Sequence, residues 1–312
     1  MHDLFSVVTI TALLSGGVAA GVPLLLTGLG EQIAERAGVL NIGIEGIMLG
    51  GAYAGFLGAY LGNGAWWGFV AGAGAGAAIG LVVIVLCVWL GLDQIVVGIG
   101  LTIGTRGLTS VLQGAQFGTT YPRLGATPTL PLPLLSDLPI VGSGLFDQPL
   151  PIYLAVGLVG LAHWTFRSTM LGLNLRAAGD RPAALDAAGV SVAATRAWAE
   201  LVAGALIGLG GAYLAIVGAG IFVPFMTHGQ GYIGLVVAML ARGRPLWVLY
   251  GAYLFGLALS LQTVLQLTGI GVSTDLVNML PFAAVMVTLI IFARRSYLPA
   301  ALGRPYVRGE RH

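Results

Sequence analysis

The feature that most limits how this chain can fold is its succession of long apolar runs. They fall at about residues 4–29, 39–61, 65–90, 95–113, 150–166, 197–221, 246–267 and 276–293, with a shorter one at 231–241. A helix rises about 1.5 Å per residue, so about 20 apolar residues cross the roughly 30 Å of hydrocarbon in a bilayer. Most of the runs are of that order. Only 8% of the residues are charged and 57% are hydrophobic, against about 25% charged in soluble domains. Such a chain cannot cover itself with water-facing side chains. The runs also lack the polar–apolar alternation of outer-membrane barrel strands. The expectation is an all-α polytopic membrane protein, a single transmembrane domain over residues 1–312 with about 8–10 transmembrane helices. The 231–241 run is too short to span and is expected to be a re-entrant piece or half-helix, preceded by irregular backbone buried in protein.

The ends of the runs carry the orientation signals. All six tryptophans (66, 67, 89, 164, 198, 247) lie near proposed segment ends, where amphipathic rings settle at the headgroup level. The tail at 294–312 holds Arg294, Arg295, Arg304, Arg308 and Arg311, which places it in the cytoplasm. Counting back puts Arg242, Arg244 and the 167–196 loop on the same side. The proline-rich 114–149 loop then falls outside. The N-terminus, MHDLFSVVT, lacks the basic region and cleavage site of a signal peptide, so a retained first helix is expected from Leu4. Small residues at Gly68, Gly72, Gly76 and Gly80, and at Gly46, Gly50, Ala54, Gly58 and Gly62, mark helix faces that pack closely.

All 14 basic residues are arginine. Without lysine there is no GxxxxGK[ST] phosphate loop, no Schiff-base lysine and no lysine general base, so P-loop ATP chemistry must come from a partner. The net charge of +2 is too small to argue for nucleic acid. Cys87 is the only cysteine, which excludes an intrachain disulfide or a cysteine metal site. No HExxH motif occurs, and neither His163 nor His228 has a metal-ligand companion at helical spacing. No catalytic residue, cofactor or metal is expected.

Three polar clusters interrupt the apolar pattern. In the 167–196 loop, Asp180 as N-cap, Arg181, Pro182 in the first turn, Ala184, Leu185, Ala187 and Ala188, and a stop at Gly189 describe a helix of about two turns. So short a helix needs something to pack against. It reads either as a tidied surface loop or as a helix seated in a cytosolic partner. The second cluster is Glu31, Glu35, Arg36, Asn41 and Glu45. Ionisable groups at membrane depth face a bundle interior or an aqueous cavity, so Glu45 needs a partner, for which Arg106 is a candidate. A static ion pair and a pathway role both remain open. Glu200 is placed close enough to the interface to be solvated. The third cluster holds Phe222, Pro224, Phe225, His228, Gln230 and Tyr232 at the break before the short helix. Aromatic faces with an amide suit a sugar or nucleobase, with Gln262, Gln266 and Asn278 as further polar lining; a packed turn is the alternative.

The strings ERAGVLNIGIEGIMLGGAY, LRAAGDRPAALDAAGVSV and FVPFMTHGQGYIGLVVAML, in that order, resemble the permease subunits of bacterial ATP-binding cassette (ABC) importers of the branched-chain amino acid, ribose and simple-sugar group. They are most similar to the subgroup for nucleosides and simple sugars. The resemblance covers about residues 21–293. It implies a plasma (inner) membrane location and two permease subunits, often related chains. It further implies two cytosolic ATPase subunits and an extracytoplasmic binding lipoprotein. Residues 176–190 match the family's cytoplasmic coupling segment, although its older signature is only loosely echoed by Asp186, Ala187, Ala188 and Gly189. The implied function is import of nucleosides or a related ribosyl or simple-sugar compound by alternating access. The pathway candidates are Asn41, Glu45, Phe222, Phe225, His228, Gln230, Tyr232 and Gln262. Branched-chain amino acids or a riboflavin-like compound are alternative substrates. An ion-coupled secondary transporter using Glu45 and Arg106 is the alternative from another class.

Overall fold

The computed structural model describes residues 7–131, 133, 136, 141–267, 274–292 and 298–306. It is a helical bundle. The helices are α1 (Val7–Arg36), α2 (Ile44–Leu61), α3 (Ala65–Val83), α4 (Gln94–Phe117), α5 (Val141–Leu145), α6 (Leu150–Ser168), α7 (Met170–Asp180), α8 (Pro182–Ala187), α9 (Val192–Tyr213), α10 (Gln230–Ala241), α11 (Pro245–Leu267) and α12 (Thr274–Phe292). Two of them run on into a π-helical turn, α3 through Ile84–Trp89 and α9 through Leu214–Ala219.

Among the described residues six helices are long and apolar enough to cross a membrane by length and composition: α1, α2, α3 with its π turn, α4, α9 with its π turn, and α11. Helices α6 and α12 have 19 residues each, a length of about 28 Å. Helix α10, with 12 residues, reaches only about 18 Å. The expected half-helix is therefore present, and non-helical backbone precedes it from Gly220 to Gly229. The tryptophans are all more than half exposed, as rings held at an interface should be.

Helix α1 is the axis of the bundle, packed against α9, α10 and α11. From Gly21 to Gln32 every residue is buried, which explains why this stretch has no polar face. Pro23 lies inside it, and neighbouring helices make such a break tolerable. Helices α2, α3 and α9 form a second knot, closed by small residues. A Cβ on Gly76 would run into the backbone of Gly204 and Gly208, and one on Gly208 into the Gly72 carbonyl. The 68/72/76/80 stripe read from the sequence thus faces α9 and α2. A second glycine face on α2, Gly51 and Gly55, meets α9 at Gly208 and Ala212.

The two ends of the bundle differ. At one end Arg36 donates through Nη2 to the carbonyls of Arg242 (3.2 Å) and Gly243 (3.4 Å). The segment 298–306 folds back onto the same end: Ala301 N donates to Gly179 O at 2.9 Å and Gly303 N to Gly38 O at 3.1 Å. The arginine-bearing turns and the tail thus share one side, as the arginine count anticipates. At the other end Leu124 N donates to Gly220 O at 2.8 Å.

Two sequence expectations need correction here. The 114–149 stretch is not simply a loop. Helix α4 continues to Phe117, and a short antiparallel pair, β1 (Thr129–Pro131) and β2 (Asp147–Pro149), flanks α5. Gln148 ties this cap to α1 by donating to Ser15 Oγ at 3.0 Å. In the 167–196 loop, Asp180 is not the N-cap of the short helix. It is the last residue of α7, and Arg181, with no side-chain cap bond, precedes Pro182. The real caps are Thr169, which accepts from Gly172 N, and Ser191, which accepts from Ala194 N. The stop at Gly189 stands, with φ +81°, a conformation glycine adopts without strain.

Candidate functional site

The most organised polar site is built on Glu45, in the first turn of α2 and fully buried. Its Oε1 accepts from Thr227 Oγ1 at 2.6 Å and from Gly229 N at 2.8 Å, and its Oε2 accepts from Gly231 N at 2.8 Å. Gly229 is the N-cap of α10 and Gly231 lies in its first turn. One carboxylate therefore satisfies amides that a helix start leaves free, and sits where the positive ends of two helix dipoles converge. Arg106 completes the neutralisation, with Nη2 3.8 Å from Oε1 and its side chain 40% exposed. Arg106 is thus the partner anticipated for Glu45. The closer contacts, however, come from backbone and Thr227.

This arrangement holds an irregular segment in place. Phe225 (φ +64°) and His228 (φ +44°) are in the left-handed region, which costs a residue with a Cβ about 1–3 kcal/mol and persists only where surroundings enforce it. Because α10 ends beside Arg36 and is about 18 Å long, its start, and with it Glu45, stands about that far from the arginine end of the bundle, well inside the length of α1.

A second buried cluster lies nearer the arginine end. Asn41 donates through Nδ2 to Glu200 Oε1 at 2.5 Å, and its backbone N donates to Glu31 Oε1 at 3.2 Å. Gln94 accepts from Leu40 N at 2.7 Å. Glu200, expected near solvent, is fully buried on α9. The physical reason is that α9 begins at Val192, so Glu200 already stands more than two turns inside it, against α1 and the 37–43 turn. Glu31, Glu35, Asn41 and Glu200 all lie below 5% exposure. They bind three elements together and do not line an open path within this chain.

The third group is organised by Arg196, 4% exposed in α9. Its guanidinium donates to Ala37 O (3.1 Å), Arg304 O (2.7 Å), Ala178 O (3.3 Å) and Ala301 O (3.5 Å). In the sequence Arg196 is the edge of a polar loop; in the structure it is the clamp between that loop, the end of α1 and the tail. Helix α8 rests on this clamp. Leu185 is buried with Ala178 and Val192, and Tyr306 packs against them. Ala184, Ala187, Ala188 and Gly189 are exposed.

The remaining pathway candidates divide by burial. Phe222 is fully buried, edge-on to Tyr53 with ring centroids 5.1 Å apart. Phe225 and Tyr232 are exposed, as is His228. Gln230 and Gln262 are half-buried, on α10 and α11. Arg106 reaches Glu45, and Glu45 holds Gly229 and Gly231, so Arg106 and the segment that carries the exposed Phe225, His228 and Tyr232 meet at this carboxylate. Phe282 of α12 lies beside Gly229 and is half exposed there. The side chain of Asn278 lies outside the described residues. Among the described residues no group of three histidines, cysteines or carboxylates could hold a metal ion.

Over residues 13–290 the chain matches the family described as branched-chain amino acid transport system / permease component. The chain belongs to this permease family. Among similar proteins, the putative glucose ABC transporter permease protein TsgC13 of Haloferax volcanii is 37% identical over 80% of this chain and 76% of its own length. The nucleoside ABC transporter permease protein NupC of Lactococcus lactis is 31% identical over 92% of this chain and 94% of its own. The guanosine ABC transporter permease protein NupQ of Bacillus subtilis is 30% identical over 93% and 94%. No solved structure matches the chain. This permease is therefore a multi-pass transport component, and the ion-coupled alternative falls.

The permease's three polar groups are unequally visible in the sequence. Glu45 stands out as a charge within an apolar run. Its partner Thr227 carries no signal of its own, although it stands one residue before His228. Gln94 opens α4 and Arg196 lies early in α9 at the edge of a polar loop, places where a polar residue needs no explanation.

Proposed function

We propose that this permease is the membrane-spanning part of an ABC importer for a nucleoside or a related ribosyl or simple-sugar compound in the plasma (inner) membrane of a bacterium. The observation that carries the proposal is the half-helix α10, started in mid-membrane by Glu45, with an aromatic and polar face around it. Irregular backbone at that depth is stable only in protein or against an aqueous cavity. Relatives that share most of the chain are named for guanosine, nucleosides and glucose, polar solutes that suit aromatic and amide groups. Because Asn41, Glu45 and Phe222 are buried in helix packing, the pathway runs over the outer face carrying Phe225, His228, Tyr232 and Arg106. A second permease subunit, identical or related, closes it from the other side. Gln230 and Gln262 border it, and Asn41 and Glu45 support it from within.

Motion comes from two cytosolic ATPase subunits docked on α8. There Pro182, Ala184, Ala187, Ala188 and Gly189 present a small, nearly side-chain-free surface. Leu185 anchors it from beneath, and Asp180 and Arg181 form its hinge with α7. The 167–196 region and the tail lie in the cytoplasm. The 114–149 cap faces outward, where a substrate-binding lipoprotein delivers its cargo. The test is Ala187→Asp or Ala184→Asp in the assembled transporter. Both positions are exposed, so folding is retained, and ATP-dependent uptake of labelled guanosine or glucose is expected to fall at least tenfold, since a charge in a packed apolar contact is costly. Unchanged uptake would remove α8 as the docking element. Binding assays on the partner lipoprotein with the same solutes decide the substrate class.

A further inference from the structure

At the arginine end of the bundle a cavity of about 460 Å³ lies between the ends of α1, α6, α7 and α11, and none of its features serves the pathway or α8. Its lining includes Arg36, His163, Arg167, Arg176, Arg244 and Trp247, and no carboxylate. Arg36 is spent on the carbonyls of Arg242 and Gly243, and Arg176 donates through Nε to Gly172 O at 3.2 Å. Arg167 and Arg244 are exposed. With Arg36 so engaged, Arg167, Arg176 and Arg244 bring three more guanidiniums to one hollow, a concentration of positive charge that favours an anion there, and the planar guanidinium fork fits phosphate oxygens in pairs.

The neighbouring space says what kind of anion. Phe166 forms a wall of this cavity and also of a second, apolar one of about 520 Å³ between α1, α6, α7 and α9, lined by residues such as Leu158, Leu161, Leu171, Trp198 and Leu206. Helix α7 borders both. Its Met170, Leu171 and Leu173 are more than half exposed, while Arg176 faces the basic hollow. That is the layout of a helix lying in the membrane interface with apolar residues toward the acyl region. Trp247 and Leu246, exposed at the rim, mark the same level. A water-borne acidic protein would find exposed leucines and tryptophan at this rim, whereas the small, alanine-covered surface is on α8.

We infer that this permease binds an anionic phospholipid here, its phosphate in the arginine hollow and an acyl chain in the apolar groove beyond Phe166. Basic pockets between membrane helices hold anionic headgroups in this way. The site couples lipid to transport geometry, because it touches α1 at Arg36 and the α6–α7 corner that leads into α8.

The test is native mass spectrometry of the full chain, extracted in mild detergent and offered equal amounts of phosphatidylglycerol and phosphatidylcholine of the same chain length. Phosphatidylglycerol is expected to be retained preferentially. The double substitution Arg167→Gln with Arg244→Gln should lower that preference roughly thirtyfold, at about one kcal/mol per arginine near the surface. Arg167→Lys with Arg244→Lys should keep much of it, and Arg123→Gln at the opposite end all of it. Ala194→Trp, which fills the groove, should reduce retention of both lipids without altering the choice between them. Equal retention of the two lipids by the unaltered chain would overturn the inference. Displacement by millimolar inorganic phosphate would overturn it in favour of a free-anion site. If the arginine substitutions weakened assembly with the ATPase subunits and left the lipid preference intact, the hollow would be a protein contact.

Discussion

Replacing Glu45 separates two accounts of the central site, an ion pair with Arg106 and a carboxylate cap on α10. Glu45→Ala leaves three donors without their acceptor: Thr227 Oγ1, Gly229 N and Gly231 N. A buried donor left unsatisfied costs about 1–3 kcal/mol, so the expected loss is about 3–5 kcal/mol after relief from burying a charge. Glu45→Gln keeps the shape and one oxygen, but its amide nitrogen confronts the Gly231 N–H. One bond is lost and the others are no longer charge-assisted, which sets the cost at about 2–3 kcal/mol. Arg106→Gln should cost less than about 1 kcal/mol, because the pair is 3.8 Å apart and Arg106 is 40% exposed. The assay is amide hydrogen exchange on the purified permease, following peptides over 222–241. A loss of about 2 kcal/mol in local stability appears as roughly thirtyfold faster exchange at the start of α10, graded Ala, Gln, then the arginine variant. Equal acceleration by Arg106→Gln and Glu45→Gln would show that the ion pair carries the site and would refute the cap. Unchanged exchange at α10 in Glu45→Ala would refute both.

Other substitutions test other parts of the bundle. Arg196→Met removes four hydrogen bonds to Ala37, Ala178, Ala301 and Arg304; limited proteolysis should then cut within 298–306 at least tenfold faster, with the membrane helices still protected. Gly208→Leu places a side chain against the Gly72 and Gly76 backbone and should destabilise by more than the usual 1–3 kcal/mol of overpacking, read as loss of the folded peak in size-exclusion chromatography. Phe225→Gly relieves the left-handed strain at φ +64° and should raise thermal stability by about 1 kcal/mol in a detergent melt, while lowering uptake if the ring lines the pathway.

What could be read from the sequence depended on how local the signal was. The break before α10 was legible because Pro224, Gly229 and Gly231 interrupt an apolar run within a few residues. The same holds for the buried charges at Glu31 and Glu35, which stand out in α1. The partnership of Asn41 with Glu200 spans 159 positions, and no periodicity reports a pairing of that range. Arg196 misled for a related reason. A cation just after a loop looks like part of that loop, whereas its four acceptors come from the turn after α1, from α7 and from the returning tail. Asp180 misled because an Asp two residues before Pro182 is a good N-cap pattern with proline in the first turn, yet the helix formers Leu175, Ala177 and Ala178 carry α7 up to and including it. The β1–β2 pair has three residues per strand, too few to show alternation. The π turns have no residue signature in these apolar runs.

The Glu45 site also has a history within each molecule's synthesis. Its acceptor oxygens are made early, and the donors at Thr227, Gly229 and Gly231 lie 182 to 186 positions later. At about 5–20 residues per second of translation, α2 waits on the order of 10–40 s with a carboxylate and no cap. Arg106 emerges in the interval and offers the only other described contact of that carboxylate, which gives the loose, half-exposed ion pair a use as an escort for the charge before α10 arrives. A nascent chain stalled before residue 227 should therefore depend on Arg106 for stable insertion of α2, although the finished permease hardly needs it.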